Sequence, residues 1–379
     1  MPKIKYPYQF DPKKRKIASE YRRAKLIMYF LSLIISLATG FFILYGGLHL
    51  AIKDFVVQYP LETITYPFLV LTIFSITGLP LSFYSSFIFD HKFKIATYKL
   101  SGWITDYLKG TLIYFVFSLI VIAGLYFSIR TFDPWWFTAG ILYVIFSISM
   151  NYIFPFLIIP FMWKTETYKD KSMRARILKL CKNIGVNGIK NVIVIKESEK
   201  SVRPNAVFTG FGNSKEIGLF DTLLTTFTKD EIETVIGHEL GHYINRDILK
   251  GVVLEAVLIF PILYLTDHFV NLYSPMFGIN GINDLAMLPL FGIIYGTLNF
   301  LLMPLSNTFS RWMESKADKF ALEHVRKPVA QVSTEKRLAD LHLDEVEPNP
   351  IMEFWFRSHP SAIRRIRMAE NWKRAKLKR

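Results

Sequence analysis

The sequence is short of cysteine and of acidic residues, and each shortage removes a class of protein. It holds one cysteine, Cys181, in 379 residues. A single thiol excludes an internal disulfide framework and any zinc site built on paired cysteines. Cys181 falls in an apolar-patterned helical stretch and is expected in a core. Asp and Glu number 31 against 46 Lys and Arg, a net charge of +15. The positive residues cluster beside apolar runs, which argues against nucleic acid as a partner and for charge sorting across a bilayer. A cleavable signal peptide is not expected, because about 25 polar, basic residues precede an apolar run too long for an h-region. Internal repeats are not evident.

Apolar residues are abundant, at 51% of the chain with 33 Phe and 19 Tyr, and mean hydropathy is +0.26. Uncharged runs cover 27–52 (apart from titratable His49), 66–89, 110–129, 135–163 and 285–309, and 248–270 carries Glu255 in its middle. Each is long enough to cross a bilayer, for which about 20 residues suffice. Pro155 and Pro160 predict a tilt or kink in the fourth run. Six spans place both termini on one side, together with the polar segments 164–247 and 310–379. The basic tail and the loop with Lys92, Lys94, Lys99 and Lys109 fall on that side too, so it is expected to be cytoplasmic. The chain thus divides into a basic cytosolic tail (1–26), a four-span membrane bundle (27–163), a cytosolic α/β segment (164–247), two further spans (248–309) and a C-terminal helical segment (310–379). The expected fold class is mainly α: a polytopic membrane helical bundle with a small cytosolic α+β unit.

Within 164–247 the pattern predicts an amphipathic helix over 169–184, strands over 191–195, 206–209 and 216–220, and a short helix over 221–227. Thr228 followed three residues later by Glu231 is a capping box, so a further helix starts there. That helix carries His238-Glu239-Leu240-Gly241-His242, the H-E-x-x-H pattern of zinc peptidases. His238 and His242 lie one turn apart on one face, where both imidazoles reach one Zn²⁺ and leave positions open for a further ligand and a water. Glu239 points near the same site and is the candidate general base.

Two histidines need a third ligand. A metzincin would place another His six residues after His242, where the chain has Ile248. A Glu from a later helix is the other arrangement, and Glu314 fits, with Asp318 one turn on to accept the N–H of a ligand imidazole and fix its tautomer. Glu255 is the rival. If the histidine helix ran on continuously, it would lie roughly 20 Å beyond His242, outside the first shell. An acid inside a span still points to a polar cavity or a buried pair.

Four separated stretches now resemble one family in the same order. They are Gly78-Leu-Pro-Leu-Ser-Phe-Tyr-Ser-Ser-Phe87, Asn205-Ala-Val-Phe-Thr-Gly210 with Ile217-Gly-Leu-Phe-Asp-Thr-Leu-Leu224, the His-Glu-Leu-Gly-His helix, and Ser310 to Asp318 with Ser358-His359-Pro360. The chain resembles the integral-membrane zinc metalloproteases of the M48 class, closest to the Ste24 type, the CAAX prenyl protease 1 family. The resemblance implies a gluzincin-like unit holding one Zn²⁺ per chain on His238, His242 and Glu314, with Glu239 as general base and Asp318 behind the ligands. It implies that Asn205 and Ala206, at the start of an edge strand, hold the substrate backbone by β-augmentation. It assigns His359 and Arg365 to the oxyanion of the tetrahedral intermediate. It further implies a helix-enclosed chamber that admits narrow, extended chains.

Two departures bear on the substrate. The chain counts one span fewer than the members it resembles, and Ser201-Val-Arg-Pro stands where the eukaryotic enzymes have an Arg-Ser-Ser-His type of stretch. Expected partners are therefore the bilayer and a peptide or protein substrate, prenylated or membrane-associated. The membrane would be the plasma or inner membrane in a prokaryote and the endoplasmic reticulum in a eukaryote. Three rival readings are a quality-control protease of the HtpX type, a non-catalytic membrane scaffold and a zinc transporter. Intact His238, Glu239, His242 and Glu314 argue against a scaffold. Histidines near the cytoplasmic end of a span, not at mid-depth, argue against a transporter.

Overall fold

Apolar runs of this length fold as helices because the bilayer core offers no partner for a free backbone N–H or C=O. The structure, a computed structural model, describes residues 6–210 and 215–377. Among them five helices are long and apolar enough to cross a membrane, or six if a bent pair is counted as one span. Helix α1 (Pro12–Tyr45) opens with Asp11 accepting the N–H groups of Lys13 and Lys14. It does not stop at residue 26. No Pro or Gly lies between Lys13 and Thr39, so the basic tail and the first span form one helix. The break comes later, at Gly46 and Gly47, where Gly47 takes φ +68° and the chain turns into α2 (Leu48–Val56). The run expected over 27–52 is therefore split between two helices.

Helix α3 (Glu62–Phe83) passes through a π-helical turn into α4 (Asp90–Lys92), and α5 (Leu100–Thr131) crosses back. Next comes α6 (Trp135–Ile153), which bends by 48° into α7 (Ile159–Met162). Pro155 lies at that bend, where its missing N–H frees a carbonyl of the preceding turn.

The segment that follows is a small sheet with helices. It runs β1 (Thr165–Thr167), α8 (Lys171–Ile184), β2 (Ile189–Ile195), β3 (Ala206–Thr209), β4 (Lys215–Phe220) and α9 (Asp221–Thr226). Strand order is β1-β2-β4-β3, with β2 and β4 parallel and the outer strands antiparallel to their neighbours. Strand β1 was not expected: all three of its residues are exposed, so no alternation marks it. The sheet, α8 and the histidine helix α10 (Lys229–Ile244) share one core that includes Ile177, Cys181, Leu219, Ile236 and Leu240. Cys181 is buried there, as its pattern indicates.

Helix α11 (Asp247–Tyr273) returns to the membrane, and α12 (Leu288–Val325) crosses once more. The 38 residues of α12 far exceed a span, so the helix continues out of the bilayer and along α10. No break marks the expected boundary at 309/310. Helices α13 (Pro328–Leu341), α14 (Pro350–Phe356) and α15 (Ala362–Leu377) complete the chain beside it.

The spans enclose a cavity of about 1320 Å³, walled by residues such as Phe30, Phe74, Leu125, Phe146, Ile259 and Tyr295 from six helices. Their outer faces expose large apolar side chains, among them Phe42, Leu112 and Val257, as a lipid-facing surface requires. At the end remote from α10 the bundle is shut by polar locks. Buried His49 bonds the carbonyls of Ile43 and Phe277, Lys53 pairs with Asp284, and the Tyr126 hydroxyl donates to the Leu285 carbonyl.

The capping box of α10 is present in full. Thr228 Oγ accepts the Glu231 N–H at 3.3 Å, and the Glu231 carboxylate accepts the Thr228 N–H at 2.8 Å. The other oxygen of fully buried Glu231 accepts from Ser333 at 2.5 Å and from Arg337 at 3.4 Å. Thr228→Ala is expected to cost about 1 kcal/mol, the usual worth of a cap. Glu231→Ala also removes the partner of the Ser333 hydroxyl and of half-buried Arg337 and should cost about 2 kcal/mol. Thermal unfolding in detergent should rank wild type above Thr228→Ala and both above Glu231→Ala.

Candidate active site

Helices α10 and α12 meet where neither carries bulk. A Cβ on Gly241 would lie 3.0 Å from Ala317 Cα and 3.1 Å from its carbonyl oxygen. Only glycine allows that approach, and it sets Glu314 and Asp318, on either side of Ala317, against the two histidines. His238 Nε2 lies 3.2 Å from one Glu314 oxygen and His242 Nε2 lies 3.4 Å from the other. The two Nε2 atoms are 3.1 Å apart. All three ligand atoms fall within 4.8 Å of one another, close enough for one small ion.

The remaining nitrogens fix the tautomers. His238 Nδ1 is 2.9 Å from Asp318, and His242 Nδ1 is 2.9 Å from Asp247. Each Nδ1–H donates to a carboxylate, so both Nε2 lone pairs face the space beside Glu314. One buried Glu314 oxygen has no hydrogen-bond partner among the described residues. A buried carboxylate oxygen left open beside two imidazole lone pairs is a donor set that fits Zn²⁺. Burial alone would push His238 down, but its bonds to Asp318 and Glu314 prevail and raise it to about 10. The cluster therefore draws in positive charge. Glu239, half-buried on the next position of α10, is held above the ordinary carboxyl range by burial, against the pull of His238 and His242.

Along the sheet margin β3 pairs, among the described residues, only with β4, so its other edge carries no described strand. The Asn205 carbonyl accepts the Phe220 N–H and so points toward β4. The following N–H, that of Ala206, points the opposite way across a trans peptide, and the Asn205 side-chain oxygen accepts it at 2.9 Å. By alternation Ala206 and Phe208 present their backbone groups along the open edge. Ala206 itself is buried in the core, so any contact it makes with a ligand is through its backbone. Phe208 stacks near Tyr243 of α10, with centroids 4.8 Å apart, which ties the edge to the histidine helix.

Comparison with known proteins agrees with this geometry. Residues 167–373 match the model of peptidase family M48, and residues 5–164 match that of the CAAX prenyl protease N-terminal region, described as five membrane helices. The chain belongs to peptidase family M48. An uncharacterized metalloprotease of Bacillus subtilis, YhfN, is 30% identical over 95% of this chain and 86% of its own. A CAAX prenyl protease 1 homolog of Dictyostelium discoideum is 31% identical over 76% of this chain and 68% of its own. CAAX prenyl protease 1 of Saccharomyces cerevisiae is 30% identical over 77% and 68%. The crystal structure of S. mikatae Ste24p superposes with a TM-score of 0.84 at 22% identity, covering 95% of this chain and 90% of that one, and so shares the fold. The chain is thus a Ste24-like membrane metalloendopeptidase.

In this M48 peptidase the residues singled out from the sequence do not all gather in one place. His238, His242, Glu239, Glu314 and Asp318 converge. His359, largely exposed, reaches the cluster with Nε2 3.1 Å from Glu314, while its Nδ1 meets the Ser358 hydroxyl at 2.9 Å. Arg365 joins the cluster from behind His238. Its Nε and Nη2 grip both Asp318 oxygens at 2.7 and 2.5 Å, and Nη1 pairs with buried Glu335 at 2.9 Å. Burial works against its charge, but Asp318 and Glu335 hold its pKa well above the usual value. These contacts engage three of its five N–H donors and set the guanidinium behind His238, which ties Arg365 to Asp318 and leaves one N–H on each Nη.

Two contributors escaped the sequence reading. Asp247 sits five positions after His242, a spacing that a continuous helix would not bring back to the imidazole. Arg246 takes φ +54°, breaks the helix and turns Asp247 inward. Glu335 carried no signal, since its partner lies on a different helix.

Gly241→Ala should force α10 and α12 apart and lower the bound zinc per chain, read by metal analysis of the purified protein. Asp247→Asn should weaken zinc binding roughly 10- to 100-fold in chelator competition, because the His242 tautomer loses its anchor. An unchanged affinity would rule out that role for Asp247.

Proposed function

We propose that this peptidase hydrolyses peptide bonds at the cytoplasmic mouth of its membrane cavity, on a zinc ion held by His238, His242 and Glu314. The open, unpartnered Glu314 oxygen facing two imidazole Nε2 atoms is the observation that carries this reading. Zinc bound there would supply Lewis acidity, lowering the pKa of water and polarising the scissile carbonyl. The chain's own groups do the rest. Glu239 takes the proton from the attacking water and returns it to the leaving amine; burial, which favours its neutral form, suits it to both tasks. The open edge of β3 receives the substrate as an added strand, with the Asn205 amide at its entrance. His359, at the exposed rim, donates to the developing oxyanion. Asp247, Asp318, Arg365 and Glu335 hold the ligands in place.

The substrate class follows from the cavity. At about 1320 Å³ it exceeds the usual range for small-molecule sites, and its walls come from apolar spans. It suits an extended peptide together with a lipid anchor or another apolar segment. Relatives named for CAAX prenyl proteases support C-terminal processing of prenylated chains. The longer match, to a B. subtilis protein named as a metalloprotease, supports the peptidase chemistry and names no lipid anchor. The shared chemistry is a membrane-bound, unfolded chain, and the positive residues at 1–26 and 92–109 support a cytoplasmic site.

Glu239→Gln is expected to keep a full complement of zinc and to lower cleavage by roughly 10³-fold. Metal analysis beside a peptide-cleavage assay checks both, and full activity with bound zinc would sink the assignment. Chelation should abolish cleavage, and added zinc should restore it. Matched prenylated and unprenylated peptides then decide between the two substrate sources.

A further inference from the structure

Glu255 is the one acid in the apolar part of α11, and neither the zinc site nor its support uses it. Its carboxylate accepts a hydrogen bond from the Ser147 hydroxyl of α6 at 2.6 Å, and among the described residues it forms no ion pair. Its direction is decided by the helix around it. Leu249, Val253, Val257 and Tyr264 are all more than half exposed and form the lipid-facing stripe of α11. Glu255 lies on the opposite side, in the sector of buried Ile259 and Ile262, yet it is itself exposed. An inward residue that remains exposed borders open space, and Glu255 and Ser147 lie beside the cavity lining, not in it. Ile259, one turn on, lines the cavity, as does Tyr143, one turn before Ser147.

Glu255 follows Asp247, the partner of His242, by eight residues on one helix. At the usual rise this is roughly 12 Å along the axis. A carboxylate at that depth, with a hydroxyl for company and no cation, is costly in an apolar bundle and marks a path for a charged guest. An extended peptide advances roughly 3.3 Å per residue, so 12 Å is about four residues.

We infer that Glu255 is a specificity-determining residue: it receives a Lys or Arg side chain of the substrate about four residues from the scissile bond, on the part of the peptide lying in the cavity. The Ser147 hydroxyl holds the carboxylate toward that guest. This rests on the peptidase reading above and adds to it a charge preference at one position.

The test is a cleaved peptide remade with Lys, norleucine or Glu at successive positions on either side of the scissile bond. Wild type should favour Lys over norleucine at one position, three to five residues away, by roughly tenfold in kcat/KM. Glu255→Gln should bring that ratio close to unity, and Glu255→Lys should turn it in favour of Glu. Ser147→Ala, which leaves the charge in place, should shrink the ratio only in part. The same peptides are also titrated onto zinc-loaded Glu239→Gln protein, with and without Glu255→Gln, so that selection is read without turnover. A binding preference for Lys without cleavage by wild type would fail the peptidase reading and keep this inference. Cleavage or binding with no charge preference at any position, or with a preference that Glu255→Gln leaves intact, would overturn it.

Discussion

The contact between Gly241 and Ala317 sets the distance on which every other feature of the site depends. Zinc ligation requires the Glu314 carboxylate within a few ångströms of two imidazoles that belong to another helix. Side chains of ordinary size at the crossing would hold the helix axes 8–10 Å apart. With no Cβ on Gly241, the backbone of α12 comes against α10 at Ala317, and Glu314 and Asp318 reach opposite nitrogens of His238 from adjacent turns. The same crossing buries Asp318 completely. A buried carboxylate needs compensation, and Arg365 from α15 supplies it through two of its nitrogens while the third goes to Glu335. One missing methyl thus leads outward through ligand, anchor and counter-charge to the C-terminal helices.

Charge balance explains why so many acids surround two histidines. Glu314, Asp318 and Asp247 all touch an imidazole, and among the described Lys and Arg residues Arg365 and Lys250 pair with them. The protein alone leaves this cluster short of positive charge, and the acids Asp318 and Glu314 accordingly push the His238 pKa up against burial. A divalent cation between the Nε2 atoms and Glu314 would remove the shortage. The anchors behind the ligands raise the basicity of both imidazoles, so they serve affinity as well as geometry.

Local rules reached much of this from the sequence and failed where backbone irregularity or distant pairing decides. The capping box, the spacing of His238 and His242, and the i, i+4 placement of Glu314 and Asp318 are helical facts, legible because helices repeat. The split of 27–52 was missed because apolar composition is blind to the left-handed turn at Gly47. The assumption that the histidine helix runs on failed at Arg246, a non-glycine residue at φ +54°, whose conformation sequence does not announce and whose effect is to deliver Asp247. The neighbours of Arg365, Asp318 and Glu335, come from two other helices and could be found only once all three were in place.

Continuity of the helices links the membrane cavity to the zinc site. Helix α12 walls the cavity at Phe291 and Tyr295 and, without a break, carries Glu314. Helix α11 lines it at Ile259 and Leu263 and begins with Asp247, only two residues after α10 ends. Glu314 and Asp247 therefore sit on stiff extensions of the cavity wall, with the two histidines of α10 fixed against them, and under the proposed function a substrate segment in the cavity would be measured along the same rods. Such a construction sets the distance from bound segment to scissile bond by helical rise instead of by a flexible loop. It favours a reaction at a defined distance from a membrane-embedded anchor over indiscriminate cleavage of any chain that reaches the site.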